Sequence, residues 1–371
     1  MIESHRRLRP IDVPFLALVL ILLNFGCVML YSASAILADQ NFGDPFFYLK
    51  RQLVWSALGI VGLTVAARIN YNRIREWVWP LLLITLISLI AVLFSAPVAG
   101  AKRWIRLGSI GIQPAEFAKL AVLLFLADYL DRKRSKVASI VQGLIVPGVI
   151  VGMVLLLIGL EPDIGTPILI FSVGTMLLFI GGTKIKHLAT TMCCAAPVFL
   201  FEILRLPYRR DRLFNFLNPF QDAQGTGYQL VQSFLAVGSG GWLGKGLGAS
   251  KLKLMYLPAP HTDFIFPVLC EELGLIGAMA LLALFAAFLL RGMRIAKYAP
   301  NLFGTILASG LTMMIVLQAF FNIGMSLGLL PTKGVPLPFF SYGGSSMLTT
   351  LIACGFLLNI SRYSTEKSAG R

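Results

Sequence analysis

The stretch "HTDFIFPVLCEELGLIGAMALLALFAAFLL" (residues 261–290) decides the fold. From Phe264 to Leu290 it is apolar except for Glu271 and Glu272. A run of about 18 or more such residues is long enough to cross about 30 Å of hydrocarbon as a helix. Similar runs recur along the whole chain. Of 371 residues, 57% are hydrophobic and 13% charged, and the mean hydropathy is +0.79. Soluble domains carry about 25% charged residues, so the composition implies an integral membrane protein. Ten spans are predicted, at about 13–36, 51–67, 77–96, 114–130, 137–159, 163–182, 187–204, 264–290, 302–328 and 342–360. Ten-residue segments of alternating polarity are absent, which excludes a membrane β-barrel. The expected fold is an all-α integral membrane protein of about ten transmembrane helices, one polytopic domain over residues 1–371. Its one large loop, 205–263, is extracytoplasmic and lies between the seventh and eighth spans. Five cysteines lie within apolar segments and are expected to be packing residues.

The distribution of Lys and Arg sets the orientation. With the N-terminus cytoplasmic, eighteen cations fall on the inner side and thirteen outside, seven of the latter in the loop 205–263. Long segments translocate largely regardless of charge, so both termini are expected to be cytoplasmic. The outer cations "AKRWIRLG" (101–108) and "RLPYRRDRLFNF" (205–216) then stand where insertion disfavours them. Attraction to anionic headgroups is one reading. The other is a site for a polyanion such as a lipid-linked diphosphate, which Arg forks and Lys point charges suit. Cations on the outer face beside membrane segments exclude nucleic acid as a partner.

Four segments carry polar residues that could line such a site. In "QPAEFAKLAVLLFLADYL", Pro114 and Glu116 suit a helix start. Glu116 and Lys119 share a face three residues apart, either as a structural ion pair or as the wall of a polar cavity. In "GLEPDIGTPILI" (159–170), Asp163 can cap the sixth span or face the same cavity. In "GTGYQLVQSFLAVGSGGWLGKGLG" (225–248), Gln232 belongs to a short amphipathic helix, and Lys245 sits in a glycine-rich backbone that can approach a ligand closely. The sequence "LPTKGVPLPFFSYGGSS" (330–346), with Lys333 and Ser341, reads as a re-entrant loop covering a cavity.

The opening stretch holds the sharpest candidate. Asp263 lies at the outer end of the eighth span, with Glu271 eight residues on, almost the same helical face. A cap accounts for Asp263 alone, but two adjacent glutamates inside an apolar helix call for a polar cavity open to the outer face. There a partly desolvated carboxylate can serve as a general base. It could deprotonate a sugar hydroxyl while the outer cations hold a diphosphate leaving group. Membrane carboxylates equally suit a proton-coupled transporter or a lipid flippase, and a non-catalytic scaffold is a third reading.

The ordered set "YSAS" (31–34), "AKRWI", "QPAEFAK", "EPDIGT", "GTGYQLVQS", "GSGGWLGKGLG", "HTDFIF…EELG" and "LPFFSYGGSS" resembles the SEDS family (shape, elongation, division and sporulation) of FtsW/RodA type. "LLPTKG" and "FFSYGGSS" look more like the FtsW branch, while "GVPLPF" has a RodA flavour. The resemblance implies a peptidoglycan glycosyltransferase of the bacterial plasma membrane that polymerises lipid II, the undecaprenyl-diphosphate-linked disaccharide peptide. It implies Asp263 as the catalytic carboxylate. It places Lys102, Arg103, Glu116, Lys119 and the segment holding Gln232 along the family's cavity. With Arg210, Lys245, His261, Thr262, Glu271, Glu272, Lys333 and Ser341, read from the residues themselves, these are the substrate-binding candidates. It further implies a class B penicillin-binding protein as partner, with other divisome or elongasome membrane proteins. A divalent cation (Mg or Mn) is compatible with diphosphate chemistry, although no cluster has the spacing of a dedicated metal site. Cys270 precedes "EELG" where the family commonly has Gly.

Overall fold

The computed structural model describes residues 10–97, 102–108, 110–161, 163–205, 210, 213, 216–225, 227–251, 260–332 and 334–364. Among these, eleven α-helices form a bundle: α1 Val13–Phe42, α2 Phe47–Arg68, α3 Val78–Leu93, α4 Pro114–Arg132, α5 Val146–Leu160, α6 Gly165–Ile180, α7 Ile185–Arg205, α8 Tyr228–Gly240, α9 Ile265–Lys297, α10 Leu302–Ser326 and α11 Gly344–Arg362. Local chemistry sets several ends. Asp12 Oδ1 accepts from Phe15 N at 3.0 Å to start α1, and Gly43 closes it in the left-handed conformation (φ 65°). Pro114 opens α4, where its missing N–H costs nothing.

Six of the described segments are long and apolar enough to cross a membrane: Val13–Phe42, Arg73–Leu93, Val141–Leu160, Ile265–Lys297, Leu302–Ser326 and Gly344–Arg362. This is the pattern of a multi-pass membrane protein. Within the six, 72% of the apolar window of α10 and 67% of that of α11 is buried, against 28% for each of the segments carrying α3, α5 and α9. Polar side chains on α10 and α11 therefore face protein rather than lipid.

Three features depart from the sequence reading. A hairpin, β1 Ile105–Leu107 and β2 Ile110–Ile112, pairs Ile105 with Ile112 just before α4. Three-residue strands are too short to show an alternation signal. Next, α9 breaks at Gly274 (φ 65°, ψ −162°), a conformation that favours glycine. Leu275 N and Ile276 N then donate to the carbonyls of Gly241 and Trp242, at 2.9 and 3.2 Å. Finally, Cys193 and Cys194 are exposed on α7, while Cys270 and Cys354 are buried. An outward-facing residue in a membrane helix meets lipid, so apolar neighbours in sequence do not imply burial.

Candidate functional site

Asp263 stands in the turn that leads into α9. The helix is capped at Phe264, without a side-chain bond, so the Asp263 carboxylate is not its cap. The turn is held from the loop between α10 and α11. Tyr342 N donates to His261 O at 2.9 Å, and Ser341 Oγ donates to Thr262 O at 2.5 Å. Gly334 of the same loop passes beside the carboxylate. A Cβ at 334 would stand 3.4 Å from Asp263 Oδ2 and 3.7 Å from Arg103 Nη1. The carboxylate and the guanidinium thus both lie beside Gly334, no farther apart than those two distances combined. Any larger residue at 334 would narrow that space.

Arg103 precedes the β-hairpin and is fixed by Nε, which donates to Glu161 O at 3.2 Å. The Glu161 carboxyl itself is fully buried, and neither oxygen has a hydrogen-bond partner among the described residues. Burial, reinforced by the charge of Asp163 and opposed by that of Arg103, raises its pKa to about 8. The Asp163 carboxylate accepts from Thr166 N at 3.2 Å and from Thr166 Oγ1 at 2.8 Å, as a capping side chain at the start of α6. His261 is buried, with its ring 4.2 Å from that of Tyr48 and 5.8 Å from that of Tyr342. Burial lowers its pKa to about 4, so the imidazole is neutral near pH 7.

A buried polar chain stands behind the turn. Glu116 and Lys119 pair at 2.8 Å, and Thr349 Oγ1 donates to Glu116 Oε2 at 3.2 Å. Lys119 Nζ donates to Gln318 Oε1 at 2.8 Å, and Gln318 Nε2 to Pro336 O at 2.9 Å. Both members of the ion pair are 3% exposed, so the pair meets α10 and α11 and supports the loop from within the bundle. Gln52 of α2 holds the far end of the loop, donating to Ser341 O at 3.3 Å and accepting from Gly343 N at 3.4 Å.

Glu271 and Glu272 lie in a second cluster. Glu271 accepts from Lys245 Nζ at 2.7 Å, Ser250 Oγ at 2.6 Å and Lys251 N at 3.2 Å. Glu272 accepts from Ser32 Oγ of α1 at 2.6 Å and from Ser250 N at 3.4 Å. The main chain adds bonds from Lys245 N to Glu271 O and from Gly246 N to Glu272 O, both 3.0 Å. The glycine-rich strap 241–248 is thereby laced to the broken part of α9. A cavity of about 280 Å³ lies there, lined by Gln232, Ser239, Lys245, Lys251 and Glu271 among others. A larger apolar groove of about 580 Å³ runs between α5, α6 and α7, with Gly152, Leu156, Phe171 and Val198 in its walls and Asp163 among its lining residues.

The structure therefore brings Arg103, His261, Thr262, Asp263 and Ser341 together, with Glu116 and Lys119 behind them. It gathers Gln232, Lys245, Glu271 and Glu272 elsewhere. The alignment of Asp263 with Glu271 fails because Asp263 precedes the first helical residue, so helical periodicity does not extend to it. Lys102 is exposed and donates to Leu93 O at 3.1 Å, at the end of α3; Arg210 is exposed. Lys333 lies outside the described residues. Gln52, Gln318 and Asn322 escaped the sequence reading, and their only signal was polarity within apolar runs; Glu161 was legible only as an acid in the turn before the sixth span. Among the described residues, no group of three or more His, Cys, Asp or Glu side chains is placed to hold a metal ion.

The family model FTSW_RODA_SPOVE, described as "Cell cycle protein", matches residues 13–366. The chain is 42% identical over 359 residues to the probable peptidoglycan glycosyltransferase FtsW of Trichlorobacter lovleyi, covering 96% of this chain and 94% of that protein. It is 41% identical over 356 residues to the stage V sporulation protein E of Bacillus subtilis, covering 95% and 97%. A solved structure described as "Structural coordination of polymerization and crosslinking by a peptidoglycan synthase complex" superposes with a TM-score of 0.80 at 29% identity, covering 95% of this chain and 98% of that one. The crystal structure of the rod shape determining protein RodA of Thermus thermophilus superposes with a TM-score of 0.71 at 28% identity, covering 96% and 98%. Matched over nearly its whole length, the chain belongs to the FtsW/RodA/SpoVE family of cell cycle proteins.

Proposed function

We propose that the protein is a peptidoglycan glycosyltransferase that polymerises lipid II into glycan strands at the outer face of the bacterial plasma membrane, in cell division. Ten spans with both termini cytoplasmic complete this reading. The large loop 205–263 and the Asp263 turn then lie on the outer side. The observation that carries the proposal is the pairing of Asp263 with Arg103 over Gly334. Asp263 takes the proton from an acceptor sugar hydroxyl. The freed oxygen attacks the donor's anomeric carbon as the bond to the lipid diphosphate breaks, with inversion. An in-line displacement needs base and leaving group on opposite sides of the reacting carbon. A carboxylate and a guanidinium that both border Gly334 can supply such a pair once substrate lies between them. Arg103 meets the charge that develops on the departing diphosphate and is already anchored, so it need not reorganise during reaction. Lys102, Arg210 and Lys333 are further cations for the substrate's phosphates or peptide. The apolar groove between α5, α6 and α7 suits a polyprenyl chain. His261, neutral near pH 7, packs the turn against Tyr48 and Tyr342.

A flippase needs a polar route through both ends of the bundle. The end opposite the Asp263 turn is instead tied by Arg75, which bonds Asp128 and Asp131 at 2.8 Å each and stacks on Phe303. A class B penicillin-binding protein is the proposed partner, supplying cross-linking. The test is incubation of the purified protein and that partner with labelled lipid II and penicillin, which blocks cross-linking. A ladder of glycan strands on a gel is expected. Lipid scrambling in vesicles without any ladder would overturn the reading.

A further inference from the structure

On α10, Asn322 is fully buried, and its side chain joins the two chain segments that form the gap between Asp263 and Arg103. Its Nδ2 donates to Asp263 O at 2.8 Å and to Val335 O at 2.8 Å. Both neighbours are carbonyls, which only accept, so the amide can face them only through its NH₂. Its Oδ1 is buried and has no partner among the described residues. An orphaned buried acceptor is destabilising, so packing alone gives no reason for an amide here. What the amide provides is a fixed bridge between a rigid, largely buried helix and two irregular segments.

Of the three carbonyls at 261–263, those of His261 and Thr262 are held by the loop, by Tyr342 N and Ser341 Oγ. The carbonyl of Asp263 is held by α10 itself. Gln318, one turn earlier on the same helix, grips Pro336 O but is tied on its other side to Lys119. These two amides thus fasten adjacent loop carbonyls, and Asn322 also reaches the residue whose carboxylate faces Arg103. Loosening that bond would let the Asp263 Cα drift relative to Gly334 and Arg103. A misplacement of about 1 Å can cost a reaction about 100-fold.

We infer that Asn322 is a positioning residue for glycosyl transfer: its amide sets the Asp263 backbone, and thereby the carboxylate, against Arg103. This rests on the proposed polymerase reading, with Asp263 as base. It concerns the geometry of the reacting groups and not the grip on substrate, so it separates kcat from KM.

The experiment measures lipid II polymerisation by the complex with its penicillin-binding partner for wild type, Asn322→Ala, Asn322→Asp and Thr312→Val. Thr312 lies on the same helix, fully buried, and donates to Ala308 O at 2.8 Å. Its substitution removes a buried hydrogen bond without touching the site. Thermal midpoint and partner binding are recorded for each. Asn322→Ala is expected to lower kcat about 10- to 100-fold with KM within about twofold, while Thr312→Val keeps the wild-type rate. Asn322→Asp keeps the volume but turns acceptors toward two carbonyls. A buried carboxyl is pushed up in pKa, and its protonated form restores one donor. Its kcat per folded molecule, relative to wild type, should therefore rise as pH falls from about 8 to about 5.5. Because the same protonation also stabilises the fold, the folded fraction is measured at each pH and divided out.

If wild type polymerises, and Asn322→Ala matches Thr312→Val in kcat, the inference is overturned while the polymerase reading stands. A flat Asn322→Asp to wild-type ratio across pH overturns it as well, and decides the matter should Asn322→Ala not fold. A wild type that makes no strands overturns the polymerase reading first.

Discussion

Asp263 and Glu272 stand nine positions apart in the chain, and the protein treats the two carboxylates in opposite ways. Glu272 is fully buried, accepting from Ser32 and Ser250, and Glu271 beside it collects Lys245, Ser250 and Lys251 N. These donors come from α1 and from residues 245–251 in and just after the strap, so these carboxylates join parts of the fold. At Asp263 it is the main chain that is fixed, while the half-buried carboxylate faces a guanidinium beside a glycine. A carboxylate surrounded by donors of its own fold holds structure. One that is half-buried beside a guanidinium and a glycine, with its backbone held, is placed to meet a substrate. The contrast also separates the two lysines. Lys119 is part of the bracing behind the turn, and Lys245 part of the strap.

The contrast can be broken from either side. The largest effect is expected at Arg103. Replacing it with Ala should lower kcat about 100- to 1,000-fold, as for loss of a charge-stabilising donor. Arg103→Lys should recover little, because Nε supplies the anchor to Glu161 O. Full activity of Arg103→Ala in the gel assay would remove the cation from the chemistry. Next, Glu271→Ala should leave Ser250 Oγ and Lys251 N without this acceptor and cost about 3 kcal/mol of stability. It should be read as a lower thermal midpoint, with the rate per folded molecule within a few-fold of wild type. A folded, undiminished Glu271→Ala complex that makes no strands would move catalysis toward the strap.

The smallest effect sharpens the picture at Glu161. Its folded pKa of about 8 lies above the ordinary 4.5. The folded state therefore holds a proton that the unfolded state has released, and stability falls as pH rises between those values. Glu161→Gln should change the thermal midpoint little at pH 5 and raise it increasingly toward pH 9, while its main-chain carbonyl still holds Arg103. A constant difference across that range would show that Glu161 ionises normally.

Much of the helical architecture was legible because lipid requires long apolar segments that satisfy their own backbone groups. The start of α4 at Pro114 and the capping by Asp163 followed from helix-end chemistry. The extension of α1 to Phe42 escaped because "LADQNF" is polar, yet it continues the helix until Gly43 stops it. The β-hairpin was too short to register, and the break at Gly274 needed the strap's carbonyls to receive the freed N–H groups. At the site, Asp263 and Arg103 stood out as charges at the margins of apolar segments. Their mutual approach depends on Gly334, whose role is the absence of a side chain. Asn322 and Gln318 were invisible for a different reason. A polar residue in a buried helix carries no periodic signal, and its partners here are main-chain carbonyls of a distant loop.

The most direct test of the distinction compares Asp263→Asn with Glu271→Gln in complexes matched for partner binding, each followed through a single round of lipid II transfer. Asp263→Asn should fold with the wild-type thermal midpoint and form no glycosidic bond. Glu271→Gln should melt earlier and still make strands. Strands from Asp263→Asn, or none from a folded Glu271→Gln, would contradict the account and place the base outside the Asp263 turn or the chemistry within the strap.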